Sequence, residues 1–485
     1  VLRPFINWLT YTETPSMLRV PRREEFEGVL LLGDPGTGKT QLIHQMIAQA
    51  RLRTPAEAGV VFDPACEFLR AHFDPETDVV LNPLDERFAY WSPSPEVRTE
   101  VDRQLVAESF FPCPEHSTDQ NRFFVKSARD IFGLMLAHRP TAATIVEWLC
   151  DPDKIDEIVA GTEVAHKISS KAGGQRIAVL STLAEMGNLL RMLPPHREGE
   201  PKFSLTKWAE RRRGWIFVTT TQDTREALKP LQAVFLNVLM KRLLSAEPAW
   251  GQENPCWFVV DEVHALGHLP MLPTFVAESR KYGCKPIFGT QSKHQYRRHY
   301  GEEALMMLAA PHLKIFTRCN ESEAAQWVSD NIGEEERERP RVGTTERASA
   351  GGRDSVSYST FIERRAVVSK EQVMSLPNLH GFWKYADVVV PFRIKTRAWP
   401  QVTEGFKPRR TLPEAMPTTP AAAPPPPERL RPAPASAPSP LSAVSPTHGR
   451  PAAAKAPQPA PAKQHAARDV AATAPALEND IDLNF

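Results

Sequence analysis

Short apolar runs alternate with turns and helical patterns along most of the chain. Residues 29–32, 60–62, 79–81, 215–219, 257–260, 286–288 and 313–316 are almost continuously apolar, the pattern of strands buried on both faces of a parallel sheet. Helical periodicity fills several of the gaps. Between 219 and 257, Leu231, Val234, Phe235, Val238 and Leu239 recur at helical spacing, which predicts a crossover helix with Pro230 in its first turn. From about residue 91 to 205 the strand pattern stops. Phe124, Ala128, Ile131 and Met135 share one helical face, and Leu183, Met186, Leu190 and Leu193 share another. Asp151 before Pro152, and Thr141 after Pro140, read as helix starts, because each offers a side-chain oxygen to orphan backbone N–H groups. The pattern predicts an α/β sheet domain interrupted by an all-α domain.

The apolar pattern ends near Thr403, where a Pro/Ala-rich stretch begins that includes Pro424, Pro425, Pro426 and Pro427. Such a segment buries too little apolar surface to offset the entropy of ordering it. The expected organisation is a lead-in at 1–24, a sheet domain in two parts at 25–90 and 206–402, and an all-α insertion at 91–205. A disordered linker at 403–476 and an acidic-apolar tip at 477–485 follow.

Composition narrows the class. Of the 485 residues 41% are apolar, enough for more than one core. The formal net charge is +1, which excludes a uniformly basic nucleic-acid coat, so any DNA contact has to come from a local basic surface. Cys66, Cys113, Cys150, Cys256, Cys284 and Cys319 are scattered without C-x-x-C pairs, a pattern that predicts reduced thiols, no disulfide and no structural zinc. No stretch reaches the roughly 18 apolar residues that spanning a bilayer requires, and no secretory signal is visible. The chain starts on Val1, which leaves open a preceding segment such as a membrane anchor.

Gly33-Asp34-Pro35-Gly36-Thr37-Gly38-Lys39-Thr40 satisfies G-x-x-x-x-G-K-[ST] between an apolar run and a helical one. In that pattern glycines let backbone N–H groups wrap phosphates and the helix N-terminus adds its dipole, while Lys39 reaches the β/γ-phosphates and Thr40 ligates Mg²⁺. The motif predicts binding of ATP with Mg²⁺. Trp257-Phe258-Val259-Val260-Asp261-Glu262 is an apolar run ending in two carboxylates, at the strand end where α/β sheets bind ligands. There Asp261 is expected to hold Mg²⁺ through water, and Glu262 to take the proton of the attacking water. The next run ends in Gly289-Thr290-Gln291-Ser292, which puts the Gln291 amide beside the same crevice, within reach of the γ-phosphate or the water. Asp63 and Asp85 have similar placements and suit a helix or loop cap equally well.

These motifs belong to a longer match. Asp261-Glu262-Val263-His264-Ala265-Leu266-Gly267-His268-Leu269-Pro270, Glu278-Ser279-Arg280-Lys281-Tyr282-Gly283 and Gly289-Thr290-Gln291-Ser292 resemble the type IV coupling proteins of bacterial conjugation and secretion, the TraD/TrwB group. Val60-Val61-Phe62-Asp63-Pro64, Leu81-Asn82-Pro83-Leu84-Asp85 with Trp91-Ser92, and Ser375-Leu376-Pro377-Asn378-Leu379 are similar to that family as well. The resemblance runs from about Val20 to Arg397. It implies a RecA-like P-loop ATPase domain with an inserted all-α domain, assembled as a hexameric ring that moves single-stranded DNA toward a secretion channel. It also implies that Arg280 reaches the neighbouring subunit's nucleotide. The family usually carries N-terminal transmembrane helices that this sequence does not show, so the expected location is cytoplasmic, at the inner face of the bacterial inner membrane.

The leading expectation is therefore an ATP-driven DNA translocase, with secretion-channel and DNA-processing proteins as partners. A ring ATPase that threads protein shares the same motifs. A nucleotide-gated adaptor that recruits partners through its tail shares them too, but a pure switch has no need of a general base such as Glu262. Arg297, Arg298 and His299, and the run Arg211, Arg212 and Arg213, are candidate DNA contacts or else solvated faces. The tip Leu477-Glu478-Asn479-Asp480-Ile481-Asp482-Leu483-Asn484-Phe485 is similar to the acidic, Phe-terminated tails of bacterial single-stranded-DNA-binding proteins. It is expected to act as a tethered hook for a basic, apolar pocket on a partner, the alternative being a merely solubilising end.

Overall fold

The computed structural model describes residues 18–112, 118–169, 173–196, 202–345, 355–409, 480–481 and 483–484. In chain order its strands are β1 (Leu18–Arg19), β2 (Val29–Leu32), β3 (Ala58–Asp63), β4 (Val79–Leu81), β5 (Trp215–Thr219), β6 (Cys256–Val260) and β7 (Cys284–Thr290). They continue with β8 (Leu313–Thr317), β9 (Glu334–Thr345), β10 (Ser355–Ala366), β11 (His380–Tyr385), β12 (Val388–Ile394), β13 (Asp480–Ile481) and β14 (Leu483–Asn484). One ten-stranded sheet has the order β13-β12-β11-β8-β2-β7-β6-β3-β5-β4. The pairs among β2 to β8 are parallel, and β11 runs antiparallel to both β8 and β12.

Alternate residues of these strands enter two separate cores, which explains why the runs are apolar throughout. Leu30, Val60, Phe62, Val218, Phe258 and Val260 belong to one, and Leu31, Val61, Phe217, Val259 and Ile287 to the other. The second core is closed by the helix Lys39–Arg51 through Leu42, Ile43, Met46 and Ile47. The crossover helix Arg225–Leu243 packs into the first. It opens earlier than the proline suggested, so Pro230 lies inside it rather than in its first turn. Leu228 N donates to the Thr224 carbonyl at 3.0 Å, so one bonded turn already precedes the proline, which costs the helix one interior hydrogen bond.

The stretch without strands is helical: Glu100–Phe110, Asp119–Ala137, Ala142–Leu149, Pro152–Val159 and Gly173–Leu190. Thr141 accepts from Thr144 N, and Asp151 accepts from Asp153 N and Lys154 N, as their sequence context predicts. Glu96 joins the two ends of this insertion. Its carboxylate accepts from Trp91 Nε1 at 3.0 Å on the incoming side, and from Leu205 N at 2.9 Å and Thr206 N at 3.0 Å on the outgoing side. The chain thus has an α/β fold with an inserted all-α region.

Two features were not visible in the apolar pattern. β9 and β10 form a separate antiparallel ribbon of 12 residues each, and β11 and β12 extend the large sheet. After β12 the chain runs as a strap across the helix Lys39–Arg51. Arg397 N and Trp399 Nε1 donate to Gln41 Oε1, and Gln45 Nε2 donates to the Lys395 carbonyl. Residues 403–409, which composition places in the linker, are held in this strap: Lys407 N donates to Asp85 Oδ2 at 3.1 Å, and Glu86 N to the Lys407 carbonyl at 2.9 Å. The rest of the linker, most of the tip and residues 1–17 lie outside the described residues.

Candidate active site

The C-terminal ends of β2, β6 and β7 open into a cavity of about 330 Å³. It is lined by Pro35, Gly36, Gly38, Lys39, Thr40 and Gln41 after β2, Asp261 and Glu262 after β6, Gln291 after β7, and Leu379. Strand register brings them together, with Leu32 opposite Thr290 and Val260 opposite Phe288. Gly289 permits the close approach: a Cβ there would lie 2.1 Å from the Asp261 carbonyl oxygen.

The loop 33–40 is fixed from outside the cavity. Asp34 N donates to the Arg318 carbonyl, and Asp34 Oδ2 accepts from Asn320 N, both at 2.8 Å. The Thr37 and Thr317 hydroxyls are 2.7 Å apart. Gly33 sits so close to Thr317 that a Cβ would fall 1.7 Å from its Oγ1. Gly33, Asp34 and Thr37 therefore shape the loop rather than line the cavity.

Inside the cavity, Lys39 Nζ donates to the carbonyls of Gly33 at 2.7 Å and Asp34 at 2.9 Å. Burial lowers its pKa, against the pull of Asp261 and Glu262. Thr40 Oγ1 donates to Asp261 Oδ2 at 3.1 Å. Burial pushes the Asp261 carboxyl up to about 6, and Lys39 and the Thr40 hydroxyl restrain the rise. Gln291 Nε2 donates to Glu262 Oε1 at 2.9 Å. The paired hydroxyl and carboxylate are hard oxygen donors of the kind magnesium takes. A lysine held by its own loop beside an open glycine face, where a Cβ on Gly36 would meet nothing within 4 Å, suits a polyphosphate.

Other candidates resolve differently. Asp63 accepts from Glu67 N at 2.9 Å and Leu69 N at 2.8 Å, so it caps the helix Glu67–His72, and burial pushes it up to about 7. Asp85 holds Arg87 through both carboxylate oxygens and anchors the strap. Arg212, part of a candidate DNA-contact run, is buried and donates to the carbonyls of Gly251, Asn254, Tyr282 and Leu243. It ties chain segments together and is not available to DNA. Arg211 and Arg213 are exposed, as are Arg297 and Arg298 on the helix Lys293–Tyr300.

Arg280 is not at the cavity. It pairs with Glu27 just ahead of the start of β7, and seven residues of strand at ~3.3 Å each put it roughly 20 Å from the end that carries Gln291. Motif reading missed Gln41 as a lining residue, because its partners Arg397 and Trp399 lie far along the chain.

A family model described as the type IV secretion-system coupling protein DNA-binding domain matches residues 14–396. Coupling protein TraD of Escherichia coli (strain K12) is 28% identical over 418 residues, covering 82% of this chain and 56% of TraD. The chain thus spans about half the length of the curated relative it matches. The bacterial conjugative coupling protein TrwBdeltaN70 has a solved structure with a TM-score of 0.68 at 23% identity, covering 80% of this chain and 89% of that one. The plasmid coupling protein TrwB in complex with ADP and Mg²⁺ gives 0.66 at 22% identity, covering 82% and 93%. These likenesses show the fold. Among the described residues no helix is long and apolar enough to cross a membrane.

Proposed function

This chain belongs to the type IV secretion-system coupling proteins, and from that premise we propose that it is a magnesium-dependent ATPase that drives single-stranded DNA toward a secretion channel. The observation that carries this reading is the convergence of Lys39, Thr40, Asp261, Glu262 and Gln291 on one cavity. TrwB has been solved with ADP and Mg²⁺ and with a non-hydrolysable ATP analogue, ligands that match the donors found here. A bound magnesium nucleotide supplies the anhydride to be cleaved and the cation that neutralises its phosphates. Lys39 exchanges its bonds to the loop carbonyls for bonds to the terminal phosphates. Thr40, and Asp261 through water, would hold the magnesium ion, and Gly36 and Gly38 would let the backbone approach the phosphates. Glu262, positioned by Gln291, takes the proton of the attacking water.

We assign the RecA-like ATPase domain to 25–90 and 206–402, and the all-α domain to 91–205. The active form is a ring, in keeping with the family resemblance to hexamers, in which Arg280 acts on the neighbouring subunit's ATP. The chain works at the cytoplasmic face of the inner membrane with secretion-channel and DNA-processing partners, one of which takes the C-terminal tip. Lys39→Ala should abolish turnover. Glu262→Gln should keep nucleotide affinity while turnover falls about 10²- to 10⁴-fold, and loss of affinity in an equilibrium titration would remove Glu262 from its role. Turnover should rise with added single-stranded DNA, and a flat response overturns the DNA assignment. Lys39→Ala and Arg280→Ala subunits, each inactive alone, should regain partial activity when mixed; full activity of dilute Arg280→Ala protein rules out action in trans.

A further inference from the structure

The large sheet does not end at β12. β13 pairs with it in parallel, Arg393 opposite Asp480 and Ile394 opposite Ile481. β14 pairs in parallel with β1, Leu18 opposite Leu483 and Arg19 opposite Asn484, and lies against the helix Lys39–Arg51. Among the described residues β1 has no other strand partner. Ile394 N donates inward to the Leu379 carbonyl, so by the alternation of a strand the amides of Arg393 and Lys395 face the outer edge. Such an edge, if open, is a template for any extended segment.

We propose that this edge is a docking site for the chain's own acidic tip, 477–485, taken up in cis by strand addition. Charge favours this occupant. The tip carries Glu478, Asp480 and Asp482 and no basic residue, whereas the receiving strands and their continuation carry Arg19, Arg393, Lys395 and Arg397. The register agrees, placing acid opposite base and isoleucine opposite isoleucine. Reach is sufficient. The strap is last held at Arg409, and the 70 residues between it and Asp480 have a contour of roughly 220 Å at the ~3.1 Å per residue of a Pro-rich chain, ample to reach the edge and short enough to hold the tip there at an effective concentration on the order of a millimolar. Two short ladders bind weakly, and the tether makes that affinity enough. A partner of micromolar affinity would still remove the tip, so edge and partner compete for one segment. Docking borders the phosphate loop, because a Cβ on Gly38 would lie 2.6 Å from Ile394 Cδ1.

The test is amide hydrogen exchange on the full chain and on the full chain carrying Ile481→Pro and Leu483→Pro, which lack the strand N–H groups. Exchange at Arg393 and Lys395 should be about two- to fivefold slower in the unaltered chain, at every protein concentration, while Ile394 is unchanged. Millimolar peptide of sequence 477–485 should restore protection to the proline variant, and a scrambled peptide should not. Equal exchange in the two chains overturns the proposal. Protection that grows with protein concentration overturns docking in cis and assigns the edge to the tip of a second copy. Arg393→Asp should remove the protection and Asp480→Arg added to it should restore it; failure of that rescue overturns the register.

Discussion

Beneath the cavity, at the opposite ends of the same strands, four charges are buried together. Lys285, near the start of β7, lies 2.9 Å from carboxylate oxygens of both Glu25 and Glu57. Arg53 reaches Glu25 at 2.7 Å and Glu57 at 3.0 Å. Lys285 also sits 4.9 Å from the ring centres of Trp257 and Phe26, and it is only 2% exposed. Two cations and two carboxylates make a neutral set, so removal of one member strands a buried charge. Lys285→Met should therefore cost about 3–5 kcal/mol, a large share of the ~5–15 kcal/mol that holds a typical domain together. Glu57→Gln should cost a similar amount by the opposite imbalance. The double variant restores neutrality, keeps the Glu25–Arg53 pair, and leaves a methionine against two aromatic rings. Its loss should fall short of the summed single losses by at least ~2 kcal/mol, within the range seen for residues sharing one network. Urea unfolding at pH 7 of the four proteins gives the cycle directly. Additive losses would refute the idea that the four charges act as a unit.

Other consequences can be checked on the same material. His44 and His72 are buried with ring nitrogens 2.9 Å apart, and burial lowers them to about 4 and about 3 from an ordinary 6.5. Because the unfolded chain then takes up protons that the folded chain does not, stability should be full above pH 6.5 and fall as pH drops, by about 2 kcal/mol for each histidine between pH 7 and 5. His72→Gln should lessen that fall by about one histidine's share in urea titrations at the two pH values, and an unchanged fall would count against it. Gly36→Ala should cost about 1 kcal/mol for its positive φ alone, whereas Gly38→Ala should cost more, since its methyl must displace Ile394 and Leu379; equal urea midpoints would contradict this. Thr141→Ala should cost ~1 kcal/mol through loss of the helix cap, read as a lower midpoint with turnover unchanged.

The parallel core of the sheet was legible because both parities of each strand are buried: Val60 and Val61, consecutive, are each 0% exposed. The ribbon was not. β9 and β10 pair charge with charge, as in Arg339 with Glu363 and Arg364 with Glu336, and such alternation reads as solvated chain. β11 and β12 were hidden by Gly381 and Pro391, residues that usually argue against a strand. In the cavity, the residues named from motifs stand at the ends of three adjacent strands, since a motif records local chemistry. What sequence reading could not supply was the support of the loop, because Thr37 meets Thr317 and Asp34 meets Asn320 across some 280 residues of chain.

Lining and support residues of this site differ in what their replacement disturbs. Lys39 donates to carbonyls of its own loop, Thr40 to Asp261 and Gln291 to Glu262, so replacing one leaves without its partner only another residue of the cavity or its loop. Asp34 and Thr37 instead join the loop to the end of β8 and the segment after it, where Asp34 N donates to the Arg318 carbonyl, Asp34 Oδ2 accepts from Asn320 N and the Thr37 and Thr317 hydroxyls meet. Gly33 lies against Thr317 and donates its N–H to the Thr290 carbonyl of β7. The segment after β8 in turn reaches the turn after β7, through Glu321 accepting from Ser292 Oγ at 2.6 Å, one residue beyond Gln291. A change at Asp34 or Thr37 thus alters where the loop sits relative to Gln291 and Glu262 without removing any group from the cavity. Lys39 and Thr40 share eight consecutive residues with Gly33, Asp34 and Thr37, yet the two groups differ in role: the first act through chemistry at the cavity, the second through the geometry in which that chemistry is presented.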